Sequence, residues 1–267
     1  MSYRETNLVA SIERLSGAPL VALAQPQRDH VDQFHAGGAE AVDRLLPGLG
    51  LTPAMTVLDV GSGLGGPARQ VARSAGCRVV GVDITPAYVE AARALTDAAG
   101  LSERVGFECT DLAALDATEF DAAYTVHVQM NVADKTRFFG EIARRLRPGA
   151  RFAVFEVCRN GAAEPVLPLP WSLDGTDSHL VAAEELRATI ESCGFELLDW
   201  ADESAWIRQW FEQTPARVAA AATRALLPAL LQDGPRRMTN FAAALFGGVV
   251  SVHRGCFTRT RAVRPIA

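Results

Sequence analysis

The chain has 267 residues, 49% of them hydrophobic and 21% charged, with a formal net charge of -5. That length buries a core large enough for one α/β domain with additions, and the mild acidity argues against a duplex nucleic-acid binder, which needs a basic face to neutralise phosphates. The five cysteines show no C-x-x-C spacing, as expected of a reduced, cytoplasmic chain. No run approaches about 18 consecutive apolar residues and no basic, apolar, small-residue leader opens the chain, so neither export nor a membrane span is expected.

Residues 1–50 read as helices with a break at "AQPQ", followed by "VDQFHAGG" (31–38), a turn that opens the helix "AEAVDRLLPGLG". This segment is expected to form a flap ahead of the first strand. From residue 55 to about 157, short β-branched runs alternate with helical patterns, the signature of a parallel α/β sheet. The runs are "TVLDV" (56–60), "RVVGVD" (78–83), "VGFECTD" (105–111), "FDAAYTV" (120–126) and "RFAVFEV" (151–157). Before the fifth run, Phe138, Ile142 and Leu146 recur at helical spacing and Pro148-Gly149 is expected to stop the helix. A proline-rich loop, "AAEPVLPLPWSLDGTDSHL", follows, then a helix "AAEELRATIESCGF" and a strand "FELLDWADE". Residues 205–247, with Trp206, Trp210, Phe211 and an alanine and leucine run at 219–231, read as helical and unusually apolar. The chain closes on "GGVVSVHRGCFTRTR", a strand-like alternation, and Arg259, Arg261 and Arg264 read as a solvated tail.

The chemistry concentrates in "VLDVGSGLGGPAR" (57–69), a buried strand running into a glycine turn and a helix. Gly61, Gly63 and Gly66 satisfy G-x-G-x-x-G, which alone suits a pyrophosphate or a carboxylate equally, because glycines admit close approach and a helix N-terminus offers free N–H groups. Asp59, two residues before Gly61, would oppose a bound pyrophosphate but suits a ligand with a positive charge; it could instead cap the turn. Asp83 ends the second strand, where a carboxylate accepts from both ribose hydroxyls. Asp111 ends the third, where it can accept from an adenine amino group or serve as a turn cap. An NAD-dependent oxidoreductase is the first rival reading; Asp59 and the lack of a Tyr-x-x-x-Lys pair stand against it.

The motifs "VLDVGSGLGG", "VVGVDITPAYVEAAR", "ECTDLAAL" and "LRPGARFAVFEV", in this order, resemble the class I S-adenosylmethionine (SAM) dependent methyltransferases over residues 30–200. The resemblance implies a Rossmann-like α/β fold with a seven-stranded, mostly parallel sheet whose last strand is antiparallel. It implies SAM as cofactor and S-adenosylhomocysteine as product. Gly61, Ser62 and Gly63 would accommodate the methionine portion, Asp83 the ribose, Ile84 the adenine face, and Asp111 with Leu112 the adenine amino edge. Asp59 would face the charged end, with Gln33 and Phe34 closing over it. Within the class, "VDQFHAGG", "HVQMNVADK" and "PWSLDGTDSHL" resemble small-molecule N-methyltransferases of the sarcosine and dimethylglycine type, also found among natural-product enzymes. The expected organisation is a helical flap (1–50), a SAM-binding core (51–204), a helical cap insertion (205–247), and a last core strand and tail (248–267).

Methyl transfer from a sulfonium needs positioning and exclusion of water more than an obligatory base. A base matters for a protonated amine, a weakly acidic hydroxyl or a carbon acid. His127, after the fourth strand, is the leading candidate to act there and against the cofactor, and His35 in the flap is the second. Gln129, Met130, Asn131 and Trp171 are expected to line the acceptor side. Trp171, Trp206 and Trp210 are core residues by default but can also wall a planar or cationic acceptor. His30, His179 and His253 have no matching ligand spacing, so no metal is expected. The cap is either a substrate cover or a homodimer surface. The expected function is methylation of a small molecule, at nitrogen by the subgroup resemblance, with oxygen or carbon methylation of a secondary metabolite, or a repurposed SAM-binding fold that performs no methyl transfer, as alternatives.

Overall fold

The computed structural model describes residues 5–220 and 227–260, with the side chains of 215–220 and 227 left aside. Three helices precede the sheet: α1 (Leu8–Ser16), α2 (Gln25–Asp32) and α3 (Gly38–Leu49). The break at "AQPQ" falls at extended Leu23 and Ala24, and Pro26 sits in the first turn of α2, where its missing N–H costs nothing. The core then alternates β1 (Thr56–Val60), α4 (Gly66–Ala75), β2 (Arg78–Asp83), α5 (Pro86–Ala98), β3 (Val105–Cys109), β4 (Phe120–Val126), α6 (Lys135–Arg145), β5 (Leu146–Arg159), α7 (Ala183–Ser192) and β6 (Phe195–Asp202). Helices α8 (Ser204–Ala220), α9 (Leu227–Leu230) and α10 (Gly234–Phe246) lead into β7 (Val250–Arg259).

The seven strands lie in the order β3-β2-β1-β4-β5-β7-β6. β1 to β5 pair in parallel, and β7 inserts antiparallel between β5 and β6. The strand order reverses between β1 and β4, and the crevice beyond their carboxyl ends is where an open α/β sheet binds ligands. Helices α3, α4 and α10 share one core cluster with the sheet, while α6 and α7 pack into another. α8 to α10 form the connection between the two antiparallel partners β6 and β7.

Three expectations change. β3 stops at Cys109 because Asp111 caps the next turn, its Oδ1 accepting from Ala113 N–H at 2.8 Å. Leu146 belongs to β5, not to the helix: its backbone is already extended and it pairs with Phe120, since the approach to Pro148 disfavours helix. Arg259 is the last residue of β7, opposite Phe195, with its Nε buried. Arg261 and Arg264, and residues 221–226 of the 219–231 run, lie outside the described residues.

Candidate functional site

A cavity of 990 Å³ opens at the β1/β4 switch point. The glycine loop forms its floor, residues 26–40 close one side, and α8 and α10 cover the top. The segment expected as a cap therefore lines the cavity directly. Gly63, at φ 52, presents open space where a Cβ would stand, so its backbone faces the cavity bare. Gly66 differs: a Cβ there would collide with the Asp32 carbonyl. The third glycine of the fingerprint therefore seats the N-terminal segment rather than a ligand. Asp32 is further held by a buried ion pair to Arg69 at 2.7 Å.

Asp59, opposite Tyr124 in the β1–β4 register, is buried with one carboxylate oxygen unpartnered. Burial pushes its carboxyl up to about 7; the Tyr124 hydroxyl pulls it back, and the charge of Asp83 adds to the rise. A cationic group in the cavity would restore ionisation. Ser62 Oγ is also buried without a partner. Asp83 accepts from Gly63 N–H at 2.9 Å and Thr85 N–H at 2.8 Å, which aims the carboxylate along the cavity wall. Ile84 is 51% exposed, an apolar shelf beside it. Asp111 and Leu112 reach the far end, and Phe34 lies tilted on Tyr88 at 6.1 Å. A buried acid with one free oxygen, a strand-end acid, a bare apolar shelf and a third acid follow one another along a single wall. That order fits a ligand that is cationic at one end, carries a diol in the middle and is flat at the other, as SAM is.

His127 sits just past β4 with φ 55, a left-handed conformation that costs a non-glycine residue about 1–3 kcal/mol. The strain is held by His127 N–H donating to the Phe155 carbonyl at 2.8 Å. Glu156 then takes the next two amides, Val128 N–H at 2.9 Å and Gln129 N–H at 3.2 Å. The imidazole stacks on Phe155 at 5.9 Å and meets Phe241 and His35 edge-on at 6.3 and 6.0 Å. Its Nε2 is buried with no hydrogen-bond partner, and burial holds the ring far below the usual imidazole range. His35 is lowered to about 4 by the same cause. Both rings are neutral bases at physiological pH.

Of the residues expected on the acceptor side, Met130, Asn131 and Trp171 line the cavity. Asn131 donates to the carbonyls of Trp171 and Asp177 at 2.9 and 3.0 Å, so it ties the proline-rich loop to the site. Gln129 does not reach the cavity: it is fully buried, and its Nε2 donates to the Val157 carbonyl at 2.5 Å. Trp210 lines the cavity, whereas Trp206 packs over Gly37 and under the Arg44 guanidinium at 4.1 Å. Sequence reasoning missed Glu156, whose signal was a carboxylate in the otherwise apolar run "RFAVFEV". It also missed Phe211, Met238 and Phe241, apolar helix residues with no signal separating a chamber wall from a core.

Residues 58–154 match the family model described as a methyltransferase domain. Methyltransferase GfsG of Streptomyces halstedii is 29% identical over 78% of this chain and 75% of its own length. A sterol 24-C-methyltransferase of Aspergillus fumigatus is 31% identical over 56% of this chain but only 42% of its own length. Among solved structures, the [4+2]-cyclase SpnF is 28% identical with a TM-score of 0.65, covering 84% of this chain and 82% of that one. A geranyl diphosphate C-methyltransferase from Streptomyces coelicolor A3(2), solved with S-adenosyl-L-homocysteine, is 18% identical with a TM-score of 0.66, covering 82% and 79%, and shares the fold.

Proposed function

We propose that this chain, a class I SAM-dependent methyltransferase, methylates an uncharged apolar small molecule at a hydroxyl oxygen or an alkene carbon. SAM supplies an activated methyl group whose bonding pair stays on sulfur as S-adenosylhomocysteine forms. Asp59, Ser62 and Gly63 would hold its charged end, Asp83 the ribose, and Ile84, Asp111 and Leu112 the adenine. The acceptor would lie against Trp171, Phe211, Met238 and Phe241. Among the described residues lining the cavity, the one lysine or arginine is Arg137 of α6, and none comes from the segments that carry Trp171, Phe211, Met238 and Phe241. Those segments therefore offer no cation to the carboxylate of a sarcosine-type substrate.

The observation that carries the acceptor atom is His127 Nε2, a buried and unpartnered base beside the apolar chamber. A methylated hydroxyl or alkene is a strongly acidic cation, and a weakly basic neutral imidazole suffices to take its proton. A methylated amine holds its proton far more tightly than such an imidazole, so nitrogen, the atom that the subgroup resemblance favours, gains nothing from this pair. The name of the sterol 24-C-methyltransferase lends carbon some support. One observation favours a second reading, in which the chamber folds a substrate and transfers no methyl: the likeness to SpnF over most of both chains.

Mass spectrometry of apolar alcohols, polyenes and amines incubated with methyl-labelled SAM tests both. Label on oxygen or carbon supports the proposal. Label only on amines overturns it, and conversion without label favours the second reading.

A further inference from the structure

His35 has two ring nitrogens, and a hydrogen-bonded chain running away from the cavity determines which of them carries the proton. The chain begins at Asp43, whose carboxylate accepts from Gln70 Nε2 at 2.7 Å; the Ala39 carbonyl accepts from the same nitrogen at 2.8 Å. Both partners only accept, so Gln70 must present its amino group to them and its Oε1 to the other side. Gln33 Nε2 donates to that Oε1 at 3.0 Å, in a buried contact. Gln33 is thereby oriented too, and its Oε1 faces His35 Nε2 at 2.9 Å. Both ring nitrogens meet a carbonyl oxygen, Nε2 at 2.9 Å and Nδ1 at 3.3 Å, and in a neutral ring with one N–H the shorter contact, to an amide the relay has oriented, takes the proton.

We propose that Asp43, Gln70 and Gln33 are a positioning relay that fixes His35 as its Nε2–H tautomer, leaving Nδ1 as the one atom of this ring that can take a proton at the acceptor side of the cavity. The inference rests on the preceding reading of His35 and His127 as acceptor-side bases. Nδ1 lies 3.3 Å from the Ala36 carbonyl. In the neutral ring these are two acceptors face to face, and a proton arriving on Nδ1 gains that carbonyl as its partner. The relay thus disfavours the idle base and favours its protonated form, at an atom chosen from outside the site. Gln33 and His35 line the cavity; Gln70 and Asp43 do not, so substitutions at Gln70 act through the chain of amides.

Nitrogen-resolved NMR of the full chain with labelled histidine and bound S-adenosylhomocysteine reads the tautomer directly, without an acceptor. The expected result is His35 protonated at Nε2 and bare at Nδ1. In Gln70→Met the Gln33 amide is free to turn, and His35 becomes a mixture of tautomers. The same variant loses about ten- to a hundredfold in kcat, the usual size of such supporting interactions, with KM for SAM unchanged. His35 protonated at Nδ1 in the unaltered protein, or an unaltered tautomer in Gln70→Met, overturns the relay. Failure to methylate any alcohol or alkene overturns the reading of the acceptor instead, because the tautomer measurement does not depend on it.

Discussion

The rings of His35 and His127 meet edge to face, 6.0 Å between centroids and 71° between planes. One ring comes from the segment before the sheet and the other from the end of its fourth strand, and the charge of either opposes protonation of the other. In the proposed role the pair would accept one proton in a turnover, and His127, with its Nε2 unpartnered, would be the better placed to take it. In His127→Asn, where asparagine tolerates the left-handed backbone, kcat falls by about 10²–10⁴, the range for loss of a general base. The affinity for S-adenosylhomocysteine changes much less. Steady-state kinetics alongside calorimetry separate the two, and an unaltered kcat would remove His127 from the chemistry.

In its proposed role at the charged end of the cofactor, Asp59 should make binding pH-dependent. Its folded carboxyl is raised to about 7, mainly by burial, so below that pH the free site holds a proton that a cationic ligand must displace. Affinity for S-adenosylhomocysteine accordingly rises with pH, by up to about tenfold per unit below the Asp59 pKa, and levels above it. Calorimetry in buffers of different ionisation enthalpy will register the proton released. Asp59→Asn should bind weakly with a flat profile.

The ligand-free protein has the opposite dependence. Burial raises the carboxyls of Asp32 to about 6 and of Asp59 and Glu156 to about 7. Carboxyls raised on folding contribute stability that is fully present below their unfolded pKa and lost as pH rises through the folded one. The melting temperature without ligand should climb as pH is lowered from about 8 to about 6.5. Below that the buried neutral rings of His35, His127 and His253, all lowered from the usual imidazole range by burial, oppose the trend. Scanning calorimetry across that range checks the sign.

Asp83→Ala removes a carboxylate that accepts from the Gly63 and Thr85 amides and lines the cavity. Loss of charge-assisted hydrogen bonds worth about 1.5–3 kcal/mol predicts a ten- to hundredfold drop in SAM affinity. Equal affinity in the variant would refute the ribose assignment.

Gly66→Ala drives a methyl group into the Asp32 carbonyl, and such overpacking costs about 1–3 kcal/mol. Asp32→Ala strands the buried Arg69 guanidinium. The Leu64 and Ala92 carbonyls and Thr96 still accept from it, so the cost should fall below the roughly 3–5 kcal/mol of a fully orphaned ion. Urea midpoints give both numbers. A larger loss of SAM affinity than of stability in either variant would identify the N-terminal segment as part of the cofactor seat.

The strands from β1 to β5, the glycine loop and the carboxylates at 59, 83 and 111 were legible in the sequence because each is local. A β-branched run reads as a strand by itself. An acid within or just past such a run stays near the carboxyl edge of the sheet whatever lies across it, even where, as at Asp111, it caps the following turn rather than ending the strand. The role of Gly66 was not legible, since the fingerprint records where glycine occurs and not what approaches it; here the neighbour is the Asp32 backbone. Gln129 and Met130 adjoin in sequence, yet one lies within the packed interior and the other on the cavity. A short turn can rotate successive side chains in opposite directions, and only the partners on offer decide which way.

The sequence by itself determined the fold class and the wall of acids proposed to receive the nucleoside, through patterns spanning a few residues each. The tertiary structure alone decided the acceptor side. It brought His35 to His127, set Glu156 beneath the turn, ran Gln33 and Gln70 out to Asp43, and folded the helices between β6 and β7 over the top. Those contacts join residues far apart in the chain, and their energies come from burial and hydrogen-bond geometry that exist only once the sheet has been assembled.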